Sequence, residues 1–366
     1  MKSILVTGSA GFIGANLVAR LLDRQEVTSI VGIDNLNDYY DPALKEARLR
    51  VIEAKAGDHP EHAYMFLRGD LLDSSLLERL FTEHQFDIVV NLAAQVGARN
   101  SLERPQAYVD SNVMGFLNVL EVCRKYEVKH LVFASSSSVY GLNEKAPFAE
   151  SDPTDRPVSP YAATKKCDEL LAHVYSQTYG LRATGLRFFT VYGPWGRPDM
   201  APMLFAKAIC AGEPINVFNN GDLIRDFTYI DDIVEGIIHV IFRHSGLDPE
   251  SETPDQVRGD ETAVRADGVS RHAGPDPASY AIYNIGGSHP VKLTEFIAAL
   301  EEALGYKAVQ RFLPMQLGDV PATFADTSAL ERDFGFTPRI TLREGLRKFA
   351  EWYKAYYGDE YLAKIR

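Results

Sequence analysis

Short apolar runs alternate with longer stretches of helical period through the first half of the chain. Residues 4–7, 30–34, 65–67, 88–92, 131–134 and 183–189 read as strands, and their hydrophobicity is continuous rather than alternating. Strands of that kind are buried on both faces, as in a parallel sheet. Between them, residues 12–22, 76–84, 107–126 and 161–179 carry the spacing of amphipathic helices. This order predicts an α/β chain with a doubly wound parallel sheet. The last third is less regular. A helix is expected at 230–242 and a strand at 281–285, and helices at 293–304 and 342–357 belong to a smaller C-terminal α/β domain that closes over the sheet's carboxyl edge. The first domain is expected at 1–193 with returning segments at about 226–242 and 280–287, the second at 194–225 and 288–366.

Residues 243–279 fit neither pattern. These 37 residues contain no aromatic side chain, four prolines and four glycines. So little apolar surface cannot offset the entropy of ordering, so a mobile inserted loop is expected.

Composition narrows the classes. A chain of 366 residues allows two to three domains and a large core. A formal net charge of −12 argues against a broad nucleic-acid or anionic-membrane surface, so an anionic ligand must be held by local donors. No apolar run approaches the roughly 18 residues of a spanning helix, and no secretory signal precedes the first strand. Three widely spaced cysteines, Cys123, Cys167 and Cys210, make neither a disulfide framework nor a zinc site. A cytoplasmic location is expected. His59 and His62 lie in a polar loop without matching ligands nearby in sequence, and no metal site is expected.

The first strand runs into Gly8, Gly11 and Gly14, a G-x-x-G-x-x-G turn that opens a helix through Phe12 and Ile13. Glycines there let a pyrophosphate approach the backbone, and the helix N-terminus supplies free N–H groups. The second strand ends in Asp34, where a carboxylate suits adenosine ribose hydroxyls and repels a 2′-phosphate, favouring NAD over NADP. Asn35 follows it. Asp70 and Leu71 after the third strand could contact the adenine, and Leu92, Ala93 and Ala94 are small or apolar residues beside the cofactor. Phe188 and Val191, around the end of the sixth strand, complete the expected NAD pocket. The fold expected is therefore a Rossmann-like doubly wound sheet.

Tyr161 and Lys165 are four residues apart and share a helix face. A free tyrosine has a pKa of ~10, so a working phenolate base needs a shift of ~3 units, about 4 kcal/mol. A neighbouring ammonium and a cationic nicotinamide can supply that. Lys165 would also hold the nicotinamide ribose. Before this helix lie Ser135, Ser136, Ser137 and Ser138. Serines at a strand end often satisfy backbone groups, but a position 25 residues before Tyr161 favours Ser136 as a catalytic hydroxyl.

These motifs, with R-D-F-T-Y-I-D-D at 225–232, resemble the extended short-chain dehydrogenase/reductase family acting on nucleotide sugars. Within it, D-N-L-N-D-Y-Y-D-P at 34–42, S-P-Y-A-A-T-K-K from Ser159 and R-F-F-T-V-Y-G-P-W-G-R-P-D-M at 187–200 are most similar to the UDP-glucuronate 4-epimerases. The resemblance spans essentially the whole chain except 243–279. It implies a homodimer, a nucleotide-sugar-binding second domain, and NAD-dependent 4-epimerisation of a UDP-uronic acid through a 4-keto intermediate. Related dehydratases carry Asp-Glu before V-Y-G and decarboxylases a Glu there, whereas this chain has Ser137 and Ser138. Those serines, with Ser136 and Thr190, are implied carboxylate ligands; Thr190 replaces the asparagine of many UDP-hexose epimerases. Arg197 is an implied second carboxylate or lid contact, Arg225 a UDP phosphate or ribose ligand, and Asp319 a ribose ligand. Gln316 stands where an arginine is common, which shifts diphosphate neutralisation toward Arg225 and Arg99. The competing activities are 4-epimerisation of UDP-glucose or UDP-N-acetylglucosamine, and UDP-glucuronate decarboxylation.

Overall fold

The computed structural model describes residues 1–243, 279–315 and 322–364. The insert expected at 243–279, apart from its end residues, lies outside the described residues, as do Gln316 and Asp319. The first half builds β1 (Lys2–Thr7), α1 (Phe12–Leu21), β2 (Val27–Asp34), α2 (Pro42–Asp58), β3 (Ala63–Arg68), α3 (Ser74–Glu83), β4 (Ile88–Asn91), α4 (Ala98–Glu103), α5 (Pro105–Tyr108), α6 (Gly115–Lys125), β5 (His130–Ser136), α7 (Pro160–Tyr179) and β6 (Ala183–Phe188). The remainder builds β7 (Thr190–Tyr192), α8 (Ala201–Ala211), β8 (Pro214–Val217), β9 (Ile224–Tyr229), α9 (Ile230–Arg243), β10 (Tyr280–Ile285), β11 (Pro290–Lys292), α10 (Leu293–Leu304), β12 (Val309–Phe312), β13 (Ala322–Thr323), α11 (Ser328–Phe334) and α12 (Leu342–Lys364).

Seven strands form one sheet in the order β10-β6-β5-β4-β1-β2-β3, and every pairing is parallel. The continuous apolar runs are explained by where alternate side chains go. Ile4, Val6, Ile30, Ile88, Val90 and Val132 enter a core with α1 and α9. Leu5, Val31, Ile33, Val89, Leu131 and Phe133 enter a second core with α3, α6 and α7. The sheet is thus covered on both faces, as the sequence predicts. Strand order reverses between β1 and β4, and ligands of such sheets bind in the crevice at that point, beyond the strands' carboxyl ends.

A smaller sheet stands beside this edge. β9 pairs antiparallel with β11 and parallel with β13 and β7, while β8 and β12 pair in parallel as a separate two-stranded sheet. The strand expected at 183–189 is divided here: after β6 the chain leaves the large sheet and pairs as β7 with β9. The helix expected over 107–126 is also interrupted, by a π-helical turn at Val109–Met114. Its buried Asn112 grips the main chain of Gln95, accepting from the N–H at 2.7 Å and donating to the carbonyl at 3.0 Å. Neither α2 nor α8 is anticipated by the sequence reading. The last helix runs beyond residue 357, turning at Gly358, where φ is +70°.

Candidate active site

One cavity of about 700 Å³ lies over the carboxyl ends of β1, β2, β4 and β5, between the two sheets. The glycine turn forms its floor. Gly8 has φ +67°, and a Cβ on Gly14 would fall 2.2 Å from the Gly8 carbonyl oxygen, so α1 starts as close to the turn as backbone allows. The first turn of α1 has no acidic residue, and Gly11 provides no side-chain cap. Its N–H groups therefore keep the donor capacity that suits an anion. Phe12 and Ile13 complete this wall.

Asp34 ends β2 in the same cavity. One carboxylate oxygen accepts from Ala10 N at 3.1 Å and the other from Leu36 N at 2.9 Å, which fixes the side chain and leaves each oxygen further acceptor capacity. Asn35 donates to Asp70 Oδ2 at 2.9 Å. Leu71, Leu92, Ala93, Ala94, Phe188 and Val191 also line the cavity. Ala93 is held by its N–H to Thr7 Oγ1, whose hydroxyl donates to Asn91.

Helix α7 begins at the cavity because Ser159 caps it, accepting from Ala162 N, with Pro160 in the first turn. Tyr161 and Lys165 consequently share its cavity face. Lys165 is 2% exposed, and its Nζ donates to the Ala134 carbonyl at 2.9 Å and to Asp168 Oδ2 at 3.1 Å. Tyr108 packs edge-on to the Tyr161 ring. The four serines have different roles. Ser135 donates to buried Glu169 at 2.7 Å, whereas Ser136 Oγ accepts from Ser138 N and Ser138 Oγ. Ser136, Ser137 and Ser138 all line the cavity, as does Thr190.

The far wall carries Arg99, Arg197 and Arg225. Arg197 makes a two-pronged ion pair with Asp199, at 3.0 and 2.7 Å, and Tyr39 donates to the same carboxylate. Arg99 lies over the Phe218 ring, and Arg225 donates to the Ile224 carbonyl. Every residue singled out in the sequence for this site lines the one cavity except Asp319, which lies outside the described residues. Among the described residues, the acidic side chains of the lining are Asp34, Asp70 and Asp199, and each is already engaged by donors.

Sequence reasoning missed Lys45, Arg48, Asn112 and Glu169. Lys45 lines the cavity and donates to the carbonyl and side chain of Asn37; burial pulls its pKa down, and Asp34 opposes that shift. Buried Arg48 donates to the Ala10 carbonyl at 3.0 Å and the Trp195 carbonyl at 2.6 Å, tying the glycine turn to the segment that carries Arg197. Their partners lie in distant segments, so no local motif marks them. Outside this cavity, His59, Glu61 and His62 gather on the loop between α2 and β3, with 3.1 Å from His59 Nδ1 to Glu61 Oε1.

The family model for the NAD dependent epimerase/dehydratase family matches residues 4–251. The chain belongs to that family. Among relatives of this epimerase/dehydratase, UDP-glucuronate 4-epimerase 1 of Arabidopsis thaliana is 45% identical over 368 residues, covering 99% of this chain and 79% of the relative. The crystal structure of UDP-glucuronic acid 4-epimerase from Bacillus cereus, in complex with UDP-glucuronic acid and NAD, superposes with a TM-score of 0.79 at 31% identity, covering 97% of this chain and all of that one. The UDP-glucose 4-epimerase of Thermotoga maritima superposes at 0.77 with 26% identity, covering 97% of this chain and 99% of the other. No helix among the described residues of this family member is long and apolar enough to cross a membrane.

Proposed function

We propose that the protein catalyses 4-epimerisation of a UDP-uronic acid, interconverting UDP-glucuronate and UDP-galacturonate through a 4-keto sugar with NAD held in the cavity. The observation that carries this reading is the make-up of the wall around Tyr161. Ser136, Ser137, Ser138, Thr190 and Arg197 offer neutral donors and a cation, and Asp199, the acidic side chain beside them, is engaged by Arg197. That set suits a sugar carboxylate and carries Ser137 and Ser138 where an elimination would call for a carboxylate. The relatives named UDP-glucuronate 4-epimerase support the same substrate class.

The residues also fit NAD. Gly8, Gly11 and Gly14 make a cradle that a Cβ would fill, and the Asp34 carboxylate disfavours a 2′-phosphate. Asp70, Leu71, Leu92, Ala93 and Ala94 would hold its adenine and ribose, and Phe188 and Val191 its nicotinamide. NAD supplies a reversible hydride acceptor when bound. Tyr161 then takes the proton of the sugar 4-hydroxyl and later returns it, Ser136 holds the reacting oxygen, and Lys165 stabilises the phenolate and holds the nicotinamide ribose. Arg99 and Arg225 neutralise the diphosphate. The 4-keto uronate is a β-keto acid that tends to lose carbon dioxide. Hydroxyls that hold its carboxylate out of alignment with the carbonyl π-system prevent that loss.

Incubation with UDP-glucuronate, UDP-glucose and UDP-N-acetylglucosamine without added cofactor tests the reading. UDP-galacturonate is the expected product. Turnover of the neutral sugars alone, or UDP-pentose as the main product, would refute it.

We also propose a homodimer and a cytoplasmic location. Leu102 on α4, Val109 and Met114 on the π-helical turn, and Leu170 and Val174 on the neighbouring α7 are exposed apolar side chains suited to burial against a second copy. Cys123 and Cys167 are unbridged thiols, which suits a reducing compartment.

A further inference from the structure

Beside the Tyr161–Lys165 pair sits a buried carboxylate that the proposed reaction does not use. Asp168, one turn beyond Lys165 on α7, is 1% exposed. Its Oδ2 accepts from Lys165 Nζ at 3.1 Å, while its buried Oδ1 meets no donor among the described residues. A half-satisfied carboxylate in the interior is costly, and an apolar side chain would pack there at less expense. That cost falls on the ammonium which shares a helix face with Tyr161.

We propose that Asp168 is a positioning residue that holds the Lys165 ammonium against the Ala134 carbonyl and, through its charge, sets the pH at which Tyr161 becomes a phenolate. This rests on Tyr161 being the proton-transfer group. Burial pushes the Asp168 carboxyl up to about 7, with Lys165 pulling it down and Glu169 pushing it up. Lys165, Cys167 and Glu169 on α7 bear on this site, with Arg187 from β6 clamped onto Glu169. Arg197 from the segment after β7 and Tyr108 from α5 bear on Tyr161. An ionised Asp168 partly offsets the Lys165 charge, and a neutral side chain in its place leaves that ammonium unopposed on the helix face it shares with Tyr161.

The test is a near-ultraviolet titration of phenolate absorbance on NAD-bound protein, with the Tyr161→Phe spectrum subtracted, for the natural residue, Asp168→Asn and Asp168→Ala. Both variants are expected to move the Tyr161 midpoint down by about one pH unit, and the acid limb of kcat with UDP-glucuronate should move with it. Circular dichroism identifies which variants are folded. A midpoint unmoved or raised in a folded variant overturns the role of Asp168 alone. If the subtraction reveals no Tyr161 titration below that of free tyrosine in any background, the assignment of Tyr161 fails and this proposal fails with it.

Discussion

At Gly14 a single methyl group separates a working cofactor cradle from a blocked one. A Cβ there meets the Gly8 carbonyl oxygen at 2.2 Å, and this neighbour is backbone that cannot rotate away. Gly14→Ala is expected to cost ~1–3 kcal/mol by urea unfolding, in the range of other overpacking changes, and to abolish co-purification of NAD. Tyr161→Phe removes only the ionisable hydroxyl. It should lower kcat by about 10²–10⁴-fold, the usual worth of a positioned acid–base group, while bound NAD is retained. Full activity in that variant would remove Tyr161 from the chemistry. Gly14, Tyr161 and Lys165 are legible in the sequence because their function depends on local spacing. Arg48 is not, because it satisfies carbonyls at Ala10 and Trp195, which only the fold brings together.

Helix α7 is held on the sheet by a buried ion pair as well as by its apolar face. Glu169 accepts from Arg187 at 2.8 and 2.9 Å and from Ser135 at 2.7 Å, and Arg187 also donates to Tyr140. Burial pushes Glu169 upward, but the Arg187 guanidinium, the Ser135 hydroxyl and the Lys166 ammonium together outweigh it and leave the carboxyl below its ordinary range. A depressed carboxyl stabilises the fold above its unfolded pKa of ~4.3 and loses that contribution as pH falls through the lower folded value. Glu169→Gln leaves the buried guanidinium uncompensated, so it should cost about 3–5 kcal/mol near neutrality. Its urea midpoint should also vary less with pH in the acid range than that of the unsubstituted protein. The elements the sequence misses share a cause. α2 buries Lys45 and Arg48 on its inner face, which erases the helical period in its hydrophobicity. The π-helical turn at Val109–Met114 follows from Asn112 reaching Gln95, a contact 17 residues away that local pattern cannot reveal.

At the scale of the whole molecule, the seven-stranded sheet provides the cradle and α7, and the segments around the smaller sheet bring Arg197 and Arg225 to the opposite wall. The parallel sheet is legible because its strands are long, apolar and regularly spaced. The smaller sheet is not, since β7, β11 and β13 have only three, three and two residues. If the exposed apolar side chains of α4, the π-helical turn and α7 meet a second copy, Leu170→Glu should convert a dimer to a monomer by light scattering, and an unchanged mass would place the interface elsewhere. The most direct test of the whole account uses UDP-glucuronate deuterated at carbon 4, incubated with the protein in ordinary water and no added cofactor. A hydride that leaves and returns within one closed cavity predicts UDP-galacturonate with deuterium still at carbon 4. Loss of the label to solvent, or a UDP-pentose in place of the uronate, would contradict it.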